Sequence, residues 1–80
     1  MDTWIVYILI CADGTTYVGC TNNIGDRLIR HNRNEVHATG SRLPVKLLLT
    51  INFYDKYKAY KFEQYLKSGS GRSFMQRHFL

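Results

Sequence analysis

Cysteine, proline and acidic residues are scarce in this chain, and each scarcity excludes a class of protein. The two cysteines, Cys11 and Cys20, are too few for a disulfide framework or a zinc site, so we expect a reducing, cytoplasmic location. One proline and six glycines exclude collagen-like and low-complexity sequences. The apolar run Trp4–Cys11 is too short to cross a bilayer, and it follows Asp2 rather than the basic segment of a signal peptide.

The composition instead indicates one folded domain over residues 1–80 with an excess of positive charge. Hydrophobic residues make up 45% of the chain and aromatic residues 14%, as is typical of globular proteins. The net charge is +5, and residues 41–80 carry eight basic and two acidic residues, against three and four in residues 1–40. A basic half favours a polyanionic partner, because lysine and arginine attract phosphates. A basic surface that serves only solubility explains the charge equally well.

Hydrophobic periodicity and turn signals predict an α+β fold with the element order β-β-α-β-α-α. We expect a small three-stranded antiparallel sheet flanked by helices. The predicted strands cover residues 4–11, 16–20 and 45–53, and the predicted helices cover residues 24–32, 56–67 and 73–79. The first strand is apolar on both faces, which is typical of a central strand. In the third strand, apolar residues alternate with mostly polar ones, which predicts one buried face made of Val45, Leu47, Leu49, Ile51 and Phe53. Asn23 and Asp55 are placed to cap the first two helices.

The length of the turn in the predicted hairpin decides whether Tyr7 and Tyr17 share a face of the sheet. A loop of two or four residues would place them on opposite faces. A three-residue loop over residues 12–14, with Gly14 left-handed, would place them on one face and set Gly19 opposite Tyr7. We favour this loop and expect Gly19 to leave open space for a backbone or ligand. Two tyrosines that only pack across the hairpin are the alternative.

Three further side chains are candidates for chemistry. Arg27 and His31 lie four residues apart on the first predicted helix, so they share a face and could clamp a phosphate and accept a proton. Glu63 lies at the edge of the apolar stripe of the second helix, where a single carboxylate suits Mg²⁺. The alternatives are a solvated basic helix face that includes Arg30, and a surface ion pair between Glu63 and Lys67.

The segment 67–72 is rich in glycine and ends at Arg72. Backbone N–H groups ahead of a helix could cradle a phosphate there. A flexible stop to the second helix is the commoner interpretation of such a segment, because glycine so often ends helices.

Two triplets on the predicted hairpin, Val6-Tyr7-Ile8 and Tyr17-Val18-Gly19, resemble the paired signature of the GIY-YIG endonuclease superfamily. Valine stands in place of glycine in the first triplet and of isoleucine in the second. The resemblance continues in order through Arg27, His31 and Glu63, covers almost the whole chain, and is to the small standalone bacterial members. It favours the same three-residue loop, since both tyrosines must reach one site.

The resemblance implies a metal-dependent endonuclease that hydrolyses the phosphodiester bonds of DNA. Tyr7 and Tyr17 would orient or deprotonate the attacking water, and His31 would assist the proton transfer. Arg27 would stabilise the charge of the transition state, and Glu63 would hold one Mg²⁺ or Mn²⁺ ion near the leaving oxygen. The choice of general base among Tyr7, Tyr17 and His31 stays open.

We expect further contacts with the nucleic acid from Gly19, Arg30, Lys67 and Arg72. Cys20 stands where many relatives carry lysine, and no asparagine follows Asn52, although several relatives have a late one. Two other functions are compatible with the sequence. One is a nucleic-acid binding module with this fold and little catalysis, and the other is a protein-interaction domain whose charge is incidental.

Overall fold

A three-stranded antiparallel sheet organises the protein, of which the computed structural model describes residues 3–80. The strands are β1 (Trp4–Ile10), β2 (Thr16–Thr21) and β3 (Lys46–Phe53), and the helices are α1 (Ile24–Asn32), α2 (Lys56–Lys67) and α3 (Gly69–His78). A short 3-10 helix, His37–Thr39, lies in the connection before β3. The strand order is β2-β1-β3, with β1 in the centre. The predicted α+β class and the order β-β-α-β-α-α are confirmed.

The β1–β2 hairpin has the predicted three-residue loop. Cys11 N–H donates to the carbonyl of Thr15 at 2.8 Å, and Gly14 takes a φ of +85°. A positive φ is favourable for glycine because it has no Cβ. Tyr7 therefore pairs with Gly19, and Leu9 pairs with Tyr17. Since paired residues lie on the same face, both tyrosines point to one side of the sheet.

Side-chain caps begin α1 and α2 at the predicted residues. The Asn23 side-chain oxygen accepts from the N–H of Asp26 at 3.0 Å. Asp55 accepts from the N–H groups of Tyr57 and Lys58 at 2.8 and 3.3 Å. These bonds satisfy N–H groups that have no partner within the helix. Both helices consequently begin and end where the sequence predicted.

Both faces of β1 are buried, as its apolar composition predicted. Val6 and Ile8 pack on one face with residues of β2, α2 and α3, namely Val18, Ala59, Leu66 and Met75. Tyr7 and Leu9 pack on the other face with Cys11 and Val45, and residues of α1 cover them. The first face holds the apolar core. The second carries the polar side chains described below.

Strand β3 departs from the predicted alternation because of a bulge. Leu49 pairs with Ile8, but Leu47 pairs with the next residue, Leu9, so the register shifts at this point. Leu47 and Leu49 therefore face opposite sides of the sheet, although they are two residues apart. Leu47 and Leu48 are 40% and 38% exposed. The prediction of one continuous buried face over residues 45–53 is wrong, since an edge strand accommodates an extra residue.

Helix α3 begins at Gly69 rather than at residue 73, so the Gly-rich segment is helical and not a flexible stop. Ser68 ends α2 and caps α3, with its hydroxyl accepting from the N–H of Gly71 at 3.2 Å. Gly71 is buried directly against the backbone of Tyr65 and Leu66. The glycine is needed there because the two helices approach without room for a side chain.

We predict that Gly71→Ala lowers the free energy of unfolding by about 1–3 kcal/mol, the usual cost of overpacking. The added methyl group would meet the carbonyl oxygen of Tyr65 and the Cα of Leu66. Gly69→Ala is the matched control, since nothing lies within 4 Å of its Cβ position. Alanine there should stabilise the helix by up to about 1 kcal/mol. Urea unfolding measures both, and equal stabilities would contradict the close packing of α2 on α3.

Candidate active site

A chain of buried hydrogen bonds runs from β1 through α1 to the 3-10 helix. The hydroxyl of Tyr7 lies 3.0 Å from Nε2 of His31, and Nδ1 of His31 lies 2.8 Å from Oγ1 of Thr39. All three side chains are 0% exposed. Buried polar groups are normally hydrogen-bonded, and these partners satisfy one another. His31 thus belongs to the interior, and not to the solvated basic helix face considered as an alternative.

Tyr17 forms the open side of this cluster. Its ring centroid lies 6.3 Å from that of Tyr7 and 5.1 Å from that of His31. Its edge-to-face packing on His31 is a favourable geometry for aromatic rings. Tyr17 is half-buried, whereas Tyr7 and His31 are inaccessible. The hairpin register therefore places both tyrosines against His31, with Tyr7 buried and Tyr17 on the more exposed side.

Gly19 leaves the space that the Tyr7 ring occupies. A Cβ at this position would overlap the hydroxyl end of Tyr7, so no larger residue fits without moving the ring. The space that we expected to be open to a ligand is filled by Tyr7 itself. That expectation is wrong because the tyrosine side chain extends across the neighbouring strand. The predicted contact of Gly19 with nucleic acid stays a prediction.

Burial shifts the pKa values of Tyr7 and His31, the two partners of the central hydrogen bond, in opposite directions. Desolvation and the neighbouring Tyr17 raise the pKa of Tyr7 to about 12, against the opposing effect of the Arg27 guanidinium. Desolvation and the charges of Arg27 and Arg30 lower the pKa of His31. At neutral pH both groups are therefore uncharged. Arg27, half-buried on α1, is close enough to act on both, as its spacing from His31 predicted.

Glu63 lies on α2, at the β2 edge of the cluster. It is 8% exposed, and its Oε2 accepts from Nζ of Lys67 at 3.3 Å. The same ammonium lies 5.8 Å from the ring centroid of Tyr17, a cation–π contact. The ion pair that we considered as an alternative is thus present, but its carboxylate is buried rather than on the surface.

Cys20 lies near the same carboxylate. Desolvation and the charge of Glu63 raise the pKa of its thiol, while Arg27 and Lys56 oppose the shift. A raised pKa leaves the sulfur as a neutral thiol and not as a nucleophilic thiolate. Cys20 therefore takes the place of a half-buried apolar residue between β2 and α2.

The donor set fits a shared metal ion rather than one held by protein alone. Within residues 3–80 no three histidine, cysteine or acidic side chains come together as ligands. Glu63 contributes one carboxylate, which accepts a hydrogen bond from the ammonium of Lys67. Mg²⁺ is often bound by one or two carboxylates together with waters and substrate phosphates. The single carboxylate of Glu63 is compatible with that mode of binding.

A groove with a volume of about 690 Å³ adjoins Tyr17. The hairpin turn, the connection before β3, the end of α2 and helix α3 line it, with side chains that include Thr15, Tyr17, Arg42, Lys67, Arg72 and Gln76. Two predicted contacts, Lys67 and Arg72, are thus brought together. Arg30 is exposed on α1 and is not among the residues that line the groove. All of these roles stay predictions.

Two residues of this region were absent from the sequence prediction. Thr39 and Arg42 lie in the connection before β3, where no periodicity marks a functional side chain. Arg42 donates to Oγ1 of Thr15 at 2.9 Å and to the carbonyl of Ala38 at 2.8 Å. The basic character of Arg42 was the one available signal. Nothing in the sequence distinguishes Thr39 from any other polar loop residue.

The fold and site place this protein in a known class. The family model for the GIY-YIG catalytic domain matches residues 3–77. The chain therefore belongs to the GIY-YIG endonuclease superfamily, as the two triplets on the hairpin indicated. No helix among residues 3–80 has the length and apolar character needed to cross a membrane.

Within this class, the chain is similar to proteins named UPF0213. It is 43% identical to one from Lactococcus lactis subsp. cremoris over 84% of its length and 69% of the relative's. It is 42% identical to one from Nitratidesulfovibrio vulgaris, over 82% of this chain and 61% of the relative. The solution structure of a UPF0213 protein from Bacillus halodurans superposes with a TM-score of 0.59 at 32% identity, covering 92% of this chain and 80% of that one.

We predict that His31 titrates below pH 6.5, its ordinary pKa, because burial and two nearby arginines disfavour the imidazolium. An NMR titration of the imidazole C2 protons measures this, and the spectrum of His31→Gln identifies the resonance. The unfolded chain takes up this proton near pH 6.5 and the folded chain only at lower pH, so stability should fall as the pH drops below about 6.5. A His31 resonance that titrates at or above 6.5 would contradict the buried, neutral imidazole.

Proposed function

We propose that this protein is an endonuclease that hydrolyses DNA phosphodiester bonds with the help of Mg²⁺ or Mn²⁺. The observation that supports this most is the meeting of Tyr7, Tyr17 and His31 beside Arg27 and Glu63. These residues come from four separate elements, and together they offer a proton acceptor, a fixed positive charge and a metal-binding carboxylate. Hydrolysis of a phosphodiester needs these three contributions. Free thiols at Cys11 and Cys20 fit the cytoplasmic location that we expected.

The proton of the attacking water would leave through the tyrosines. Tyr17 is the one that faces the groove, while His31 can exchange a proton with the site only through the hydroxyl of Tyr7. Tyr7 has a pKa of about 12, so its hydroxyl is protonated at neutral pH. It can therefore act as a base only if a neighbouring acceptor takes that proton. Kinetic pH profiles of the tyrosine variants would separate the Tyr17 route from the Tyr7–His31 route.

Arg27 and Glu63 would act on the phosphate and on the leaving oxygen. The Arg27 guanidinium carries a fixed charge suited to the extra negative charge of the transition state. A divalent ion bound at Glu63 would neutralise the charge that develops on the leaving oxygen. An incoming phosphate would compete with Glu63 for the Lys67 ammonium, which would free the carboxylate for that ion.

A second function, DNA binding without cleavage, is favoured by the pairing of Glu63 with Lys67. As long as Lys67 holds the carboxylate, the site is electrostatically satisfied without a metal ion. The groove beside it is basic, with Arg42, Lys67 and Arg72 in its lining. Such a surface would bind DNA with an affinity that falls steeply with salt concentration.

Glu63→Gln should abolish nicking of supercoiled plasmid in Mg²⁺ or Mn²⁺ while largely preserving DNA affinity. The amide keeps the size of the side chain but removes the charge that attracts a divalent ion. Glu35→Gln is the matched control, since Glu35 is the other glutamate of the chain and is exposed. Parallel reactions with EDTA show whether the activity of the wild type requires metal.

Metal-dependent nicking that survives in Glu63→Gln would refute the metal role of this residue. Salt-sensitive DNA binding without nicking by the wild type would instead establish the binding module. No binding of duplex DNA at moderate salt would favour the protein-interaction domain.

Arg27→Ala should reduce the cleavage rate by about 10²–10³-fold, the usual effect of removing one preorganised donor from a transition state. Arg33→Ala is the control, because Arg33 is an exposed residue at the end of the same helix. Single-turnover cleavage with saturating enzyme separates the chemical step from binding. A loss smaller than about threefold would exclude a large transition-state contribution from Arg27.

A further inference from the structure

The direction of the hydrogen bonds around His31 follows from the groups at the two ends of the chain. Oγ1 of Thr39 lies 3.4 Å from the carbonyl oxygen of Val36, which can only accept. If the single hydroxyl proton of Thr39 points to that carbonyl, then Nδ1 of His31 must be the donor in the 2.8 Å bond to Oγ1. The other ring nitrogen, Nε2, is then unprotonated.

The hydrogen bond at Tyr7 leads to the same assignment, with Nε2 of His31 as the acceptor. Among the described residues the Tyr7 hydroxyl has Nε2 of His31 as its hydrogen-bond partner, at 3.0 Å. The guanidinium of nearby Arg27 can only donate, so it offers the hydroxyl proton no acceptor. If His31 also donated to Tyr7, the buried hydroxyl proton would have no acceptor among the described residues. An unsatisfied buried donor costs about 1–3 kcal/mol. With Nε2 as the acceptor, every group in the chain has a partner.

We propose that Thr39 is a positioning residue that holds His31 in the Nδ1–H tautomer, so that Nε2 can accept the proton of the Tyr7 hydroxyl. The tautomer assignment stands on the hydrogen bonds alone. Its consequence for cleavage rests on the proposed function. The other tautomer carries its proton on Nε2 and has no lone pair to offer Tyr7.

In the cleavage reaction, this tautomer makes a balanced proton transfer. In the Tyr7–His31 route, the attacking water would have to reach the Tyr7 hydroxyl, which is buried in this structure. The Tyr7 oxygen then takes a proton from that water, and the original Tyr7 proton moves to Nε2. The water oxygen forms a bond to phosphorus as the bond from phosphorus to the leaving oxygen breaks. The resulting imidazolium, which still donates from Nδ1 to Thr39, returns its proton by way of Tyr7 and solvent to the leaving oxygen.

The connection that carries Thr39 is fastened to the hairpin that carries Tyr7. The N–H of Arg42 donates to the carbonyl of Thr39 at 2.9 Å, and its guanidinium donates to Ala38 and Thr15. The N–H of Ala12 donates to the carbonyl of Arg42 at 2.9 Å. Both ends of the Tyr7–His31–Thr39 chain are therefore held by one network, which keeps the threonine hydroxyl at a set distance from the ring.

The tautomer can be measured directly in ¹⁵N-histidine-labelled protein above the pKa of His31. We expect His31 to show a protonated Nδ1 and an unprotonated Nε2, with His31→Gln identifying its signals. A wild-type His31 protonated on Nε2 would overturn the proposal. This result does not depend on nuclease activity, so it tests the tautomer assignment even if the proposed function fails.

Thr39→Val removes the hydroxyl and keeps the shape of the side chain. We expect a mixture of tautomers and a kcat at least about 10-fold lower, with little change in KM, as when other orienting partners of a histidine are removed. Thr39→Ser should restore both. The pH profile of kcat should also shift in Thr39→Val, because Nδ1 of His31 loses its hydrogen-bond partner. The other groups that face the ring are unchanged in this variant, namely Tyr7, Tyr17, Arg27 and Arg30.

Thr21→Val is the matched control, because Thr21 is another buried threonine whose hydroxyl bonds to Asn23 and not to His31. It should keep the tautomer and kcat of the wild type at a comparable loss of stability. An unchanged tautomer and kcat in Thr39→Val would overturn the proposal. So would an equal loss of kcat in both variants, since that would trace to stability alone.

Discussion

The buried hydrogen bond between Tyr7 and His31 is the interaction on which the rest of the site depends. It forms because a three-residue loop turns Tyr7 toward α1, and because Gly19 on the paired strand leaves room for the end of its ring. A loop one residue longer or shorter would move one strand's side chains to the opposite face relative to the other strand. Tyr7 and Tyr17 would then no longer meet, and His31 would have one aromatic neighbour instead of two.

Burial shifts the pKa values of the two hydrogen-bonded groups in opposite directions. Burial disfavours both tyrosinate and imidazolium, so the pKa of Tyr7 is raised and that of His31 is lowered. At rest the proton stays on the tyrosine. Thr39 adds direction to this pair, because it occupies the one nitrogen of His31 that does not face Tyr7.

Charge is arranged around this neutral pair rather than within it. Arg27 approaches from α1, and the Glu63–Lys67 ion pair approaches from α2, with Tyr17 between the cluster and the groove. The half-exposed ammonium of Lys67 and the buried carboxylate of Glu63 are paired with each other. The proposed arrangement thus links substrate and metal binding, since the phosphate would draw Lys67 away from the carboxylate that would hold the ion.

Local chemistry in the sequence determined the element order, the starts of α1 and α2, and the hairpin register. Each depends on hydrogen bonds or backbone conformations within a few residues, such as the Asn23 and Asp55 caps and the positive φ of Gly14. The spacing of Arg27 and His31 on one helix, and of Glu63 beside the buried stripe of another, was readable for the same reason.

Only the tertiary structure decided the bulge in β3, the early start of α3 and the partners of the site. The bulge arises from pairing with a distant strand, and Gly71 is needed because α2 and α3 touch. Tyr7 and His31 are 24 positions apart, and Thr15 and Arg42 are 27 apart. Thr39 is eight positions from His31, outside any helical or strand period that would link them. Such contacts depend on how the chain folds back on itself, which no local pattern records.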